Sequence, residues 1–260
     1  MKRLLQLLAL LFAFCAAISS FALNPAVLIG GNPPAASYSP TPDILWWKGN
    51  TGSGTTDTAD AGPNLTLSSA SVWGTTFTPG GSSNDFVLAT TYYGSSAASV
   101  NPAANVMTVE FRLYQANFST ASTQFYLCTH TNVTGSAGRW KIYNDTDGNS
   151  GKIFIWWSDG AANNVLYSIA RPSTSTWHHM AFVMNNSVDT PLIAYVDGSS
   201  VGVTAEYIQW ASSGNFINST VYLGCDDANA NLSPCSMKDV RIWAGARTAG
   251  NILTDATNYP

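Results

Sequence analysis

Residues 176–200 read TWHHMAFVMNNSVDTPLIAYVDGSS, and the pattern in this stretch decides the fold. On an extended chain Trp177, His179, Ala181 and Val183 share one face, and His178, Met180, Phe182 and Met184 share the other. Both faces are mostly apolar, which describes a central strand covered on two sides. A polar segment follows, then a second extended run from Leu192 to Val196 and an Asp197–Gly198 turn. Asp-Gly is a strong hairpin signal, because both positions tolerate the left-handed backbone. The adjacent histidines leave on opposite faces and cannot jointly hold one ion or act as a couple. Each is expected to be a structural residue, hydrogen-bonded to its neighbours.

The same two-residue period recurs outward in both directions. In TVEFRLY, Val109, Phe111 and Leu113 oppose Glu110, Arg112 and Tyr114. RWKIYNDTDGNSGKIFIWW, residues 139–157, reads as a hairpin about Asp147–Gly148, with Ile153, Ile155 and Trp157 opposing Lys152, Phe154 and Trp156. In KDVRIW, Val240 and Ile242 oppose Asp239, Arg241 and Trp243. DILWW, FYLCT, NVLYSIA, LIAYVDG and VYLGC supply further strands. Many short strands with no helix between them indicate an all-β protein, an antiparallel β-sandwich. The one helical segment is TAGNILTDATNY at the end, with Thr248 as its N-cap.

Composition agrees. Of 260 residues 45% are hydrophobic and only 10% charged, with nine Trp and just two Glu, Glu110 and Glu206. Such a chain forms a core, and its bias is toward strands and turns. The first 22 residues stand apart: Lys2 and Arg3, an apolar body, and small residues before Ala22 read as a signal peptide, too short for a bilayer span of about 20 residues. Residues 23–42 form a Pro/Gly-rich linker or arm, and the folded domain runs from 43 to 260. Loss of Lys2 and Arg3 with the signal leaves nine basic against fifteen acidic side chains, a net of −6. An acidic surface of this kind repels nucleic acid. The implied location is secreted or extracytoplasmic. In that compartment Cys225 and Cys235, which bracket DDANANLSP, are the expected disulfide, leaving Cys128 a buried thiol.

WHHMAFVMNNSVDTPLIAYVDG resembles a strand pair of laminin G-like, concanavalin A-like jelly-roll domains, in which W-x-H-hydrophobic-A leads through a polar turn to Y-x-D-G. LGCDDANANLSPCSMKDVRIWAGARTAGNI is similar to the closing stretch of that family, and ILWWKGNTGSGTTDTADAGPNLTLS to its opening strand and loop. The resemblance spans about residues 43–256 and implies a jelly roll with a short C-terminal helix. Gly250 and Asn251 depart from the family, whose members often carry Glu in that helix. The resemblance also implies a structural calcium ion, held by Asp239 of the D-x-V-R-I strand with Asp60 of the early loop as a second ligand. Independently, Asp227, Asn229 and Asn231 form a D-x-N-x-N run whose alternating oxygens suit calcium.

Enzymes exist on this fold, but retaining glycoside hydrolysis needs two carboxyls about 5–5.5 Å apart. No strand here offers acids at i and i+2, Glu110 is followed by Arg112, and no G-x-S-x-G elbow occurs. A non-enzyme is expected. The aromatic residues carry the binding signal: Trp156, outward by alternation, and Trp210, in a loop, could stack on the apolar face of a sugar. The leading expectation is therefore an exported recognition module for carbohydrate or an extracellular protein. The alternative is a structural or adhesion component with no small ligand, and a glycoside hydrolase or lyase is third.

Overall fold

The computed structural model describes residues 41–77, 83–89, 91–118, 123–129, 138–145, 151–158, 164–186, 192–208 and 214–258. The expected signal segment 1–22, nearly all of the arm 23–42, the Asp147–Gly148 turn and Trp210 lie outside these. Two sheets face one another. Sheet A runs in space as β14 (Ser199–Val201), β13 (Leu192–Val196), β12 (Trp177–Asn185), β7 (Val106–Tyr114), β17 (Ser236–Ala244), β5 (Ser83–Val87) and β4 (Trp73–Phe77), and β1 (Leu45–Trp47) also pairs with β17. Sheet B runs as β15 (Thr204–Ile208), β11 (Asn164–Ala170), β10 (Lys152–Ser158), β9 (Trp140–Asn144), β8 (Gln124–Cys128), β16 (Tyr222–Leu223), β6 (Gly94–Ser96), β3 (Leu65–Leu67) and β2 (Thr56–Asp57). The paired strands are antiparallel throughout, and the molecule is the β-sandwich that the alternation demands.

The core between the sheets takes one face of each strand. Met107, Val109, Phe111 and Leu113 of β7, and Met180, Phe182 and Met184 of β12, meet Ile153, Ile155 and Trp157 of β10 and Trp140 and Ile142 of β9. As expected, β12 is central, flanked by β13 and β7, and buried along most of its length. Both outer faces are partly covered as well. On sheet A, α1 (Ala249–Thr257) packs Ile252 against Ala181, Val183 and Tyr195. Thr248 caps it, its Oγ1 accepting from the Asn251 amide at 3.2 Å. The Asp197–Gly198 turn lies beneath this helix. Gly198 has φ +76°, and a Cβ there would come 2.7 Å from Leu253 Cδ1, so glycine is required for conformation and for space.

One irregularity shapes the outer face of sheet A. The β7–β17 register shifts between Lys238 and Arg241, and Asp239 sits at φ 55°. This β-bulge re-aims the Asp239 side chain, which turns into a cluster of charges described below.

Candidate functional site

A cleft of about 460 Å³ opens on sheet A, lined by Thr76, Val87, Tyr114, Ser175, Thr176, Trp177 and Ser236. Register explains its floor. Trp177 pairs with Tyr114, Tyr114 with Ser236, and Ser236 with Val87, so one row of residues crosses β12, β7, β17 and β5. At the usual spacing of strands that row is roughly 14 Å long. The Trp177 indole Nε1 donates to the Thr76 carbonyl at 3.1 Å, and its ring meets Tyr114 at 5.7 Å and Phe77 at 5.0 Å between centroids. The tryptophan is thereby fixed in orientation while remaining partly exposed. Ser175, at φ 60°, is anchored by its amide to the Gln115 carbonyl, and it and Thr176 form the exposed rim.

The cleft is uncharged: none of its described lining residues bears a charge. Asp85 beside it is buried and accepts from the Thr76 amide at 2.7 Å and from Thr76 Oγ1 at 2.9 Å. Lys238 is also buried, its Nζ donating to Asn50 Oδ1 and to the Asn84 carbonyl. What remains toward solvent is two aromatic rings flanked by hydroxyls. Such a surface stacks and hydrogen-bonds a neutral polyol. The sequence reading missed it because the four strands of the floor are separated along the chain; the parity of Trp177 and Tyr114 was the only local signal.

Of the sites predicted from sequence, Trp210 lies outside the described residues, and the others fall elsewhere. Trp156 does face away from the main core, but it is only 3% exposed. It belongs to a second cluster on the far face of sheet B with Phe125, Cys128, Tyr143 and Phe154. Phe125, Tyr143 and Phe154 stack in a ladder at 5.4 and 5.5 Å, and Lys141 Nζ lies 5.1 Å from the Trp156 ring. Burial lowers the Lys141 pKa. Trp156 is thus a packing residue, not a sugar platform, and alternation misled because it does not say whether a second face is covered.

Asp239, the expected calcium ligand, is engaged by protein side chains. Its Oδ1 accepts from Arg241 Nε at 2.6 Å and from Trp46 Nε1 at 2.7 Å, and Arg112 Nε lies 3.6 Å from Oδ2. Both carboxylate oxygens thus face guanidinium groups. Asp60, its expected co-ligand, pairs instead with Lys48 at 3.2 Å. In the D-x-N-x-N run the organising carboxylate is Asp226, which accepts from the Ala228 and Ala230 amides and from Asn231 Nδ2. Asn229 and Asn231 adopt left-handed backbone, and the segment is a self-satisfied turn. Cys128 and Tyr222 have pKa values raised chiefly by burial, with the Asp227 carboxylate adding to both. Among the described residues no three His, Cys, Asp or Glu side chains are grouped to hold an ion. Cys128, Cys225 and Cys235 are all free and buried. The Cys128 thiol lies against the Cys225 carbonyl at 3.3 Å, whereas Cys235 belongs to the core between the sheets, so the expected bridge is not formed.

The charges around Asp239 extend into a buried network under α1. Arg241 Nη1 reaches Asp255 Oδ1 at 2.6 Å, Arg247 Nη2 bonds Asp255 Oδ2, and Arg112 donates to the Asp255, Ala256 and Asn258 carbonyls. His179 Nε2 meets Glu110 Oε2 at 3.0 Å, and burial raises the Glu110 pKa. His178, on the opposite face, bonds Asp197 and Ser173. The two histidines act separately, as their spacing requires.

A family model for laminin G-type domains, described as the concanavalin A-like lectin/glucanases superfamily, matches residues 88–253. No curated protein matches the chain in sequence. Among solved structures, the receptor binding domain of botulinum neurotoxin mosaic serotype C/D is similar with a TM-score of 0.59 at 14% identity, over 83% of this chain and 50% of that one. The binding domain of botulinum neurotoxin serotype D gives 0.58 at 14% identity, over 82% and 50%. Domain 4 of an extracellular arabinanase from Geobacillus stearothermophilus, in complex with arabinotriose, gives 0.54 at 16% identity, over 82% and 98%. The chain therefore spans about half the length of the neurotoxin domains, and at these identities the likeness concerns the fold alone. With the family model covering well over half of the chain, the protein belongs to the laminin G-like family of the concanavalin A-like lectin/glucanases superfamily.

Proposed function

We propose that this protein is a recognition module that takes neutral carbohydrate into the Trp177–Tyr114 cleft, working outside the cell after loss of residues 1–22. The observation that carries the reading is the in-register row Trp177, Tyr114, Ser236 and Val87, which sets two aromatic rings among uncharged hydroxyls. Its volume lies within the ordinary range of ligand pockets, and its lack of charge disfavours acidic glycans. The receptor-binding and arabinotriose-bound domains that share the fold support a binding role. Glycoside hydrolysis is not supported, since no carboxylate is among the described lining residues.

Titration calorimetry against a panel of neutral and acidic polysaccharides tests the proposal. A neutral member should bind, and Trp177→Ala should weaken binding at least tenfold while the melting temperature confirms a folded variant. Binding that survives Trp177→Ala, or that is confined to acidic members, sinks it. One feature favours an adhesive role instead: the edge strand β15 exposes Tyr207 and Ile208, 47% and 43% accessible. Silence of the whole panel would turn attention there.

A further inference from the structure

The turn before β12 and the hairpin tip after β13 bring three residues into line. Ser173 Oγ lies 2.9 Å from His178 Nε2, and His178 Nδ1 lies 2.7 Å from Asp197 Oδ2. Asp197 is itself oriented, because its second oxygen, Oδ1, accepts from the His179 amide at 2.9 Å. We propose that Ser173, His178 and Asp197 form an acyl-transfer site in which Ser173 is a nucleophile toward short-chain acyl esters.

Hydrogen-bond chemistry fixes the roles. A carboxylate only accepts, so the proton of the neutral imidazole resides on Nδ1, facing Asp197. Nε2 is then a lone pair, and the hydroxyl of Ser173 is the donor that can meet it. That is the arrangement of a general base poised on a nucleophile and held by a third group, which is recognised by geometry and not by chain position. The Ser173 carbonyl, 3.2 Å from Nε2, can accept from the ring only when Nε2 is protonated. It would steady the imidazolium formed after attack. Exposure fits these roles: Ser173 is exposed, while the His178 side chain is only 11% accessible. Asp197 is more open to solvent than a buried orienting acid, which limits how strongly it can polarise the ring.

The step balances. Ser173 Oγ attacks the ester carbonyl carbon as its proton passes to His178 Nε2. The bond from carbonyl carbon to alkoxy oxygen then breaks, and Nε2 returns the proton to the departing alcohol. Water attacks the acyl-serine in the same way, releasing the carboxylic acid and restoring Ser173. The net reaction is ester plus water to acid plus alcohol. The proposal stands apart from the carbohydrate cleft, whose binding test neither supports nor harms it.

The experiment treats the whole protein with a fluorophosphonate probe and locates the adduct by peptide mass spectrometry, with 4-nitrophenyl acetate hydrolysis in parallel. The adduct should form on Ser173. Labelling and hydrolysis should vanish in Ser173→Ala and fall about a hundredfold in His178→Asn, the lower end of what a positioned base contributes. Asp197→Asn, at the exposed hairpin tip, should also fall and serves should the histidine variant unfold. Ser199→Ala, exposed beside the same hairpin tip, should label normally. No adduct on Ser173 overturns the assignment, as does an adduct whose rate is unchanged in both the His178 and Asp197 variants.

Discussion

Arg241 Nη1 lies 2.6 Å from Asp255 Oδ1, and through that contact the bulged strand β17 grips the terminal helix. Asp255 also binds Arg247 and is 1% exposed, so it neutralises two guanidiniums out of reach of water. Asp255→Asn keeps the shape and removes the charge. Removing one partner of a buried ion pair typically costs about 3–5 kcal/mol. Chemical denaturation should show a loss of that size, with the carbohydrate binding proposed at Trp177 intact in the folded fraction. A loss under about 1 kcal/mol would mean that the network is decorative.

Asp239 gives a sharper contrast, because its sequence motif suggests calcium and its surroundings supply guanidinium. Asp239→Asn should lower the melting temperature by the same amount in EDTA and in excess calcium. If calcium raises the melting point of the parent but not of the variant, the carboxylate holds a metal after all.

Trp156 separates packing from recognition. Trp156→Ala should destabilise by about 3–5 kcal/mol, the usual range for deleting a buried Trp. Trp156→Phe should cost less than half as much, since it keeps a six-membered ring and discards an indole N–H that has no acceptor among the described residues. Neither should change carbohydrate affinity once the folded fraction is taken into account. A variant with parental stability and lost binding would restore Trp156 to the ligand site.

The three buried cysteines should behave as inert thiols. Burial pushes Cys225 and Cys235 up to about 12, and Cys128 is raised chiefly by burial, then by Cys225 and the Asp226–Asp227 carboxylates. At pH 8 a thiol of that kind is ionised in about one molecule in ten thousand. Iodoacetamide should therefore leave all three unmodified until denaturant is added. Recovery of a Cys225–Cys235 peptide without reduction would show that the protein closes the bridge.

What was legible in the sequence follows from the range of each interaction. The side-chain period on a strand is two, so Ile153, Ile155 and Trp157 could be assigned to one face and Phe154 and Trp156 to the other from the residues alone. The Asp197–Gly198 turn and the Thr248 cap are equally local, since each is settled within a few residues. What covers the outer faces is not local. Arg241 lies two residues along the same face, but Asp239 finds Trp46 across 193 positions, and no pattern near Asp239 announces that this indole and the Arg112 guanidinium will also meet it. The cleft floor depends on which residue of β7 stands beside Trp177, which is a property of register between distant strands. The line of Ser173, His178 and Asp197 is intermediate: its members flank the neighbouring strands β12 and β13, yet only the folded turns show that they meet.

Glu110 sets the pH dependence. Burial raises its pKa above the ordinary 4.5, opposed in part by the bond from His179. The folded protein therefore holds this proton more tightly than the unfolded chain does. Its stabilising contribution is complete below about pH 4.5 and is lost as pH rises through the folded-state value. Glu110→Gln cannot ionise and so escapes that loss. The amide also alters contacts with His179 and Arg247, so the offset between the two proteins at any one pH carries less information than the trend. Relative to the parent, the variant should gain stability as pH climbs from about 4, then level off once Glu110 is ionised in both states. Urea denaturation of both proteins from about pH 4 to pH 8 reads the difference directly. A gap that stays flat, or that closes as pH rises, would show that Glu110 is held ionised by His179 and Arg247, and that its burial is compensated.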